Sequence, residues 1–272
     1  MRYCRFLFGG QSHYGTIDMN RGQLRIMRQM DTPQEDLRSQ LEHAGMASWF
    51  LSFAPTPFDQ VELLPPVTPS KVICVGRNYR EHANELSNEI PAEPLIFFKP
   101  PSSILRPGGA IQLPAVAERV DYEGELALVI GRRTRHFKPD GEWREVVRGF
   151  TLANDVTARD LQKKDAQWTR AKGFDTFCPV GPLVTDELDL DAGVVIETRL
   201  NGELRQQAST RDLIFSIPIL LSYITAAITL EVGDLVLTGT PSGVGPLTPG
   251  DRIEVSAAGI GTLSNTVEAE PH

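Results

Sequence analysis

Short apolar runs broken by turn-forming residues constrain this chain more than any other feature. Leu126–Ile130, Phe150–Asn154, Leu183–Val184, Val194–Leu200, Leu235–Thr238, Arg252–Val255 and Gly261–Val267 are strand-length. Between them stand Pro107-Gly108-Gly109, Asn201-Gly202, Gly233-Asp234 and Pro249-Gly250-Asp251. Such dipeptides supply the backbone angles of tight turns. Helical patterns do not alternate regularly with these runs, so a parallel βαβ fold is not expected. The pattern predicts an α+β fold, mostly β, with an antiparallel or mixed sheet.

One helix is expected in the core. Ile217, Leu220, Leu221, Ile224 and Ile228 recur at helical spacing, with Ser216 placed to cap and Pro218 in the first turn. Leu213–Leu230 carries no charge, but its serines, threonines, tyrosine and proline make it too polar for a membrane span.

Residues 1–68 read as a small N-terminal α+β unit with a proline-rich connector, and 69–272 as the main domain. RYCRFLF and HYGTIDM suggest two strands around Gly9-Gly10, and Asp36–Phe53 suggests a short helix. Ala54-Pro-Thr-Pro-Phe58 and Leu64-Pro-Pro-Val-Thr-Pro69 favour an extended connector. Lys71–Val75 then reads as a strand, Tyr79–Leu86 as a short helix and Leu95–Phe98 as another strand.

The net charge of −8 argues against a nucleic-acid surface. Cys4, Cys74 and Cys178 are odd in number and form no C-x-x-C, so free thiols in a reducing cytoplasm are expected. MRYCRFLFGG has no long apolar core, which argues against a secretion signal.

The densest chemistry is Glu123-Gly-Glu125, followed by Asn154-Asp155. Residues i and i+2 of a strand share a face, so the two glutamates are expected to aim into one space. Paired carboxylates beside apolar neighbours need a cation or a shared proton. Asp155 adds a third oxygen donor, which suits a hard divalent ion such as Mg²⁺ or Mn²⁺. E-x-E is also common on the charged outer face of an ordinary strand.

A second cluster is Arg77-Asn78-Tyr79-Arg80-Glu81-His82-Ala83-Asn84-Glu85. On a helix His82 and Glu85 share a face, and a carboxylate beside an imidazole makes a water-activating base. The same spacing occurs on solvated helices. Lys99 closes an apolar strand, and Lys172 reads as a loop residue among apolar neighbours, able to stabilise a developing enolate. Either lysine also fits an ordinary surface position. Thr238–Gly245 is glycine-rich but lacks the ending of a nucleotide loop; its amides and hydroxyls suit a carboxylate.

VGRNYREHANEL, PLIFFKPPSSI, VDYEGELALVIG, GFTLANDVTARDLQ with WTRAKGFDTFCPVGP, and LIFSIPILL leading to GDLVLTGTPSGVG occur in one order over residues 70–267. In this the chain resembles the fumarylacetoacetate hydrolase family, in its bacterial type with a small N-terminal domain. The resemblance implies a mixed β-sandwich or β-roll and a homodimer. It implies Mg²⁺ or Mn²⁺ held by Glu123, Glu125 and Asp155, with His82 and Glu85 on a lid and Lys172 as a further catalytic residue. Arg77, Lys99, Arg159, Gln162 and Thr240 match pocket positions for substrate. The implied activity is metal-dependent cleavage of a carbon–carbon bond in a 2-oxo acid, through an enolate, as in acylpyruvate or fumarylpyruvate hydrolases. An oxaloacetate-type decarboxylase or a 2-oxo-dienoate isomerase or hydratase would use the same site. A non-catalytic metal-binding β protein is the alternative of a different class. Arg77, Arg106, Arg159 and Arg170 are each candidates to meet a second substrate carboxylate.

Overall fold

The computed structural model describes residues 1–18, 23–26, 56–57, 60–81 and 91–271. The helix expected over Asp36–Phe53 lies outside these residues, as does most of the one expected over Tyr79–Leu86, His82 and Glu85 included.

The fold is mostly β, as the turn spacing predicts. Gly124–Ile130 lies near the middle of a 12-stranded sheet. Antiparallel neighbours flank it: Val147–Asn154 on one side and Leu235–Leu237 on the other. Beyond Leu235–Leu237 lie Val72–Gly76, paired parallel, and then Leu95–Lys99. Beyond Val147–Asn154 lie Cys178–Thr185 and then Arg2–Phe8. Arg2–Phe8 forms the expected hairpin with Gln11–Asp18. The sheet therefore runs through the expected boundary near residue 68.

A 5-stranded sheet packs against this one, in the order Glu203–Ser209, Val195–Leu200, Arg252–Ala257, Gly261–Ala269, Ala110–Leu113. Alternation along Gly124–Ile130 decides what meets what. Leu126, Leu128 and Ile130 join the core shared with Ile196, Val255 and Leu263 of the smaller sheet. Ala127 and Val129 join the opposite core, with Cys74, Ala153, Cys178 and Val180. Both faces are covered, so all seven residues of this strand are buried. Each large aliphatic side chain buried this way contributes about 1.5–3 kcal/mol.

The expected core helix spans Ile217–Ala227 and buries Ile217, Leu220, Leu221 and Ile224 in the first core. Ser216 takes the N-cap position, but its side chain makes no cap bond. Its carbonyl accepts from Leu220 N at 2.9 Å. No helix among the described residues is long and apolar enough to cross a membrane.

Candidate active site

Glu123 sits at a break between two sheets. Val120–Tyr122 belongs to a 3-stranded sheet with Thr157–Ala158 and Gly245–Pro246, whereas Gly124–Ile130 belongs to the large one. Glu123 is thus not within a strand, yet its carboxylate still converges with that of Glu125. The neighbouring chain fixes it. Glu123 N donates to Asn154 Oδ1 at 2.8 Å, and Asp155 N donates to Glu123 O at 2.8 Å. Asn154-Asp155 thereby delivers the third carboxylate to the first two. The carboxylates of Glu123, Glu125 and Asp155 each offer an oxygen, and these lie within 4.8 Å of one another.

Gly124 allows the close packing between the glutamates. A Cβ there would lie 2.1 Å from Thr198 Oγ1 of the smaller sheet. Gly124 N donates instead to Gln206 Oε1 at 3.0 Å. On the far side, Gly239 N donates to Glu125 Oε2 at 2.7 Å. Gly239 has φ +103, a conformation that favours glycine. The glycine-rich turn does hold a carboxylate, but one of the protein's own.

Three buried cations face four buried carboxylates. Lys172 Nζ donates to Glu123 Oε2 at 2.8 Å and to Asp155 Oδ2 at 2.7 Å. Lys99 Nζ donates to Asp155 Oδ1 at 2.6 Å and to Val156 O at 3.0 Å. Arg159 Nε donates to Asp121 Oδ2 at 2.9 Å, while its Nη2 bonds Glu123 and its Nη1 donates to Gln162 Oε1 at 2.8 Å. Lys172 lies on a short helix, Thr169–Gly173, rather than in the expected loop. Lys99 is fully buried, so it is not the surface strand end that its place in the sequence also fitted.

Burial pushes the Glu125 carboxyl well above the usual carboxylate range, and the charges of Asp155 and Glu123 push it further; Lys172 and the Gly239 N–H oppose them. Burial works against the Lys172 ammonium, but Asp155 and Glu123 outweigh it, so its pKa is raised. Arg119, more exposed, forks Asp121 at 2.7 and 3.1 Å, so four cations match the four carboxylates when all are ionised. A divalent cation fits here on two counts. The donors are hard oxygens, and oxygens sharing one such ion lie about 4–5 Å apart or less.

The triad opens into a cavity of about 370 Å³. Arg77, Arg159, Gln162, Lys172 and Thr240 line it with the triad, and Lys99 does not. Thr240 Oγ1 donates to Gly124 O at 3.0 Å and accepts from Gln206 Nε2 at 2.8 Å, so its one proton is committed within the protein. Lys163, Trp168 and Phe97 also line the cavity. The sequence reading did not single these out, although WTRAKGF and LIFFK carry two of them. Phe97 and Trp168 meet edge to face with centroids 5.2 Å apart, and Lys172 Nζ lies 4.9 Å from the Phe97 centroid.

Comparison with known proteins agrees with this geometry. Residues 71–268 match the family described as Fumarylacetoacetate (FAA) hydrolase C-terminal. The chain is 44% identical over 223 residues to oxaloacetate tautomerase YisK of Bacillus subtilis, covering 76% of this chain and 73% of that protein. It is 43% identical over 201 residues to the mitochondrial oxaloacetate decarboxylase of Dictyostelium discoideum, covering 72% and 92%. The crystal structure of 5-carboxymethyl-2-hydroxymuconate delta-isomerase from Mycobacterium smegmatis superposes with a TM-score of 0.84 at 38% identity, covering all of both chains. The buried carboxylate triad, the two-sheet fold and these matches together place the chain in the fumarylacetoacetate hydrolase family of enzymes.

Proposed function

We propose that this protein is a divalent-metal-dependent enzyme that forms and discharges the enolate of a 2-oxo acid. The buried triad, with Lys172 beside it in the cavity wall, carries the reading. Glu123, Glu125 and Asp155 would hold the cation. When bound, it supplies Lewis acidity to the carboxylate and 2-oxo oxygens of the substrate.

The protein's own groups do the rest. Lys172, as an ammonium, donates to the oxygen on which enolate charge develops, in a site where burial strengthens that interaction. Arg159 holds Glu123 from within the cavity lining, and Lys99 holds Asp155 from outside it. Phe97 and Trp168 keep water from one side of the reacting carbons. Decarboxylation of oxaloacetate would break the C3–C4 bond, release CO₂ and leave the electron pair in the enolate, which takes a proton at C3. Keto–enol interconversion would move a proton between C3 and the 2-oxygen without breaking carbon–carbon bonds. Neither needs an activated water, and both agree with the names of the relatives above.

Hydrolysis of an acylpyruvate is the second reading, and the His82–Glu85 spacing favours it. It needs one step more, in which that pair activates water against the distal carbonyl.

The deciding experiment assays chelator-stripped protein, then protein with Mg²⁺ or Mn²⁺ restored. Its substrates are oxaloacetate, acetylpyruvate and fumarylpyruvate, with enol absorbance, pyruvate release and acid release followed separately. Metal-dependent turnover of at least one is expected. Absence of any metal-dependent turnover would overturn the reading.

A further inference from the structure

Glu203–Ser209 is an edge strand, exposed or half-buried at every residue but one. The exception is Gln206, which is buried. Elsewhere the two sheets meet through apolar side chains such as Leu126, Ile196, Val255 and Leu263. Here an amide crosses between them. Burying an amide is unfavourable unless its hydrogen bonds are made. Those of Gln206 go to Gly124 and to the Thr240–Pro241 turn.

The reason lies in a missing stretch of sheet. Leu235–Leu237 pairs with Ala127–Val129. Thr238 N and Thr238 Oγ1 then donate to Leu126 O at 3.0 and 2.9 Å. The chain departs from strand geometry at Gly239, where φ is +103. No strand among the described residues reaches Gly124 on that side. Two side chains take the strand's place. Gly124 N donates to Gln206 Oε1 at 3.0 Å, and Thr240 Oγ1 donates to Gly124 O at 3.0 Å. Gln206 Nε2 closes the ring, donating to Thr240 Oγ1 at 2.8 Å and to Pro241 O at 2.9 Å. A glutamine side chain carries the carbonyl and N–H groups of a peptide unit, so it can complete a ladder that the backbone leaves open.

The ring encloses the residue between Glu123 and Glu125. Thr240 follows Gly239, whose N–H holds Glu125 Oε2. The same turn lies directly on the edge strand, because a Cβ on Gly243 would be 2.0 Å from Arg205 O. An apolar side chain at position 206 would still fill the space between the sheets. It would leave Gly124 N without an acceptor and Thr240 Oγ1 free to turn. A site of this kind works only when its groups are held within about 0.5 Å of their geometry.

We propose that Gln206 is a positioning residue for the metal site: its amide replaces the missing strand at Gly124 and fixes Glu123 and Glu125 against the Gly239–Thr240 turn. This rests on the metal-dependent reading above and adds a residue from the second sheet.

Calorimetric titration of the chelator-stripped protein with Mn²⁺ tests it, without recourse to turnover. Gln206→Met keeps the side-chain length and loses all three bonds, and its Kd for Mn²⁺ should rise at least tenfold. Thr240→Val breaks the ring from the other side and should raise Kd at least fivefold, whereas Thr240→Ser keeps the hydroxyl and should stay within twofold of wild type. Gln207→Met is the control. Gln207 is exposed and bonds Glu197 Oε1 at 2.8 Å, away from the triad, so Kd should again stay within twofold. Each variant is titrated below the onset of its own melt, where a purely structural role would leave Kd unchanged. If Gln206→Met does not fold, the two Thr240 variants decide. Kd within twofold of wild type in Gln206→Met or Thr240→Val, or Thr240→Ser weakened as much as Thr240→Val, overturns this inference and leaves the metal-dependent reading standing. No Mn²⁺ binding by the wild type overturns both.

Discussion

Lys172 Nζ lies 2.7 Å from Asp155 Oδ2, a buried ion pair formed across one wall of the cavity. A second carboxylate, Glu123, shares the ammonium at 2.8 Å. Lys172 thus balances charge among the buried carboxylates, and in the proposed reaction it is also the donor to the enolate oxygen.

Replacing Lys172 by Met should separate these roles. Turnover is expected to fall roughly 10²–10³-fold, the usual effect of losing one donor to a developing oxyanion. The metal-free protein should lose up to about 3–5 kcal/mol, because two buried carboxylates lose one of their cations and keep only Lys99 and Arg159. Added Mg²⁺ should recover part of that loss in a thermal melt. A metal-free variant as stable as wild type would contradict the charge-balance role.

Gly124→Ala should be severely destabilising for a packing reason alone. The new Cβ would lie 2.1 Å from Thr198 Oγ1, and overpacking of this kind costs about 1–3 kcal/mol or more. Removing the obstructing hydroxyl in a Gly124→Ala/Thr198→Ala double variant should return much of it. Chemical denaturation of the wild type, the two single variants and the double variant checks this coupling.

Metal and pH should act together on stability. The folded Glu125 carboxyl has a raised pKa, so the folded state binds more protons than the unfolded one above the ordinary carboxylate range. Its contribution to the metal-free protein therefore declines as pH rises from that range toward the raised folded value. A bound cation displaces the proton and removes the penalty. The melting temperature should rise more on adding Mg²⁺ at pH 8 than at pH 5.5, and an equal rise at both would count against it.

All three cysteines should be silent toward thiol reagents in the folded state. They are free and buried, and burial pushes the Cys4 and Cys178 thiols up to about 12 and Cys74 well above its usual value. A disulfide-exchange reagent should titrate none of them quickly in buffer, and all three in denaturant.

What was legible in the sequence followed from burial and turns. Gly124–Ile130 could be read because both its faces are covered, which demands an unbroken apolar run. Glu203–Ser209 was not read as a strand. It lies at the edge of its sheet with exposed polar side chains, so no alternation marks it. The helices Arg159–Lys164 and Thr169–Gly173 were missed because so few turns carry little periodicity. The carboxylate triad was visible from its chemistry. The cations were harder, because a lysine's sequence neighbours say nothing of a carboxylate brought in from another strand. Lys99 and Asp155 are 56 residues apart and meet only through the sheet. The same holds for Thr240, whose hydroxyl is claimed by Gly124 O and Gln206.

Glu123 lies at the seam where the chain leaves one sheet for another, Asp155 lies opposite it at the matching break between Val147–Asn154 and Thr157–Ala158, and Glu125 lies just inside the large sheet. A cation held by all three would clasp the seam mechanically. Amide hydrogen exchange at residues 121–125 and 153–156 should then slow on metal loading, far more than within Ile217–Ala227. The same ion that polarises a substrate would also decide how firmly the small 3-stranded sheet is fastened to the large one.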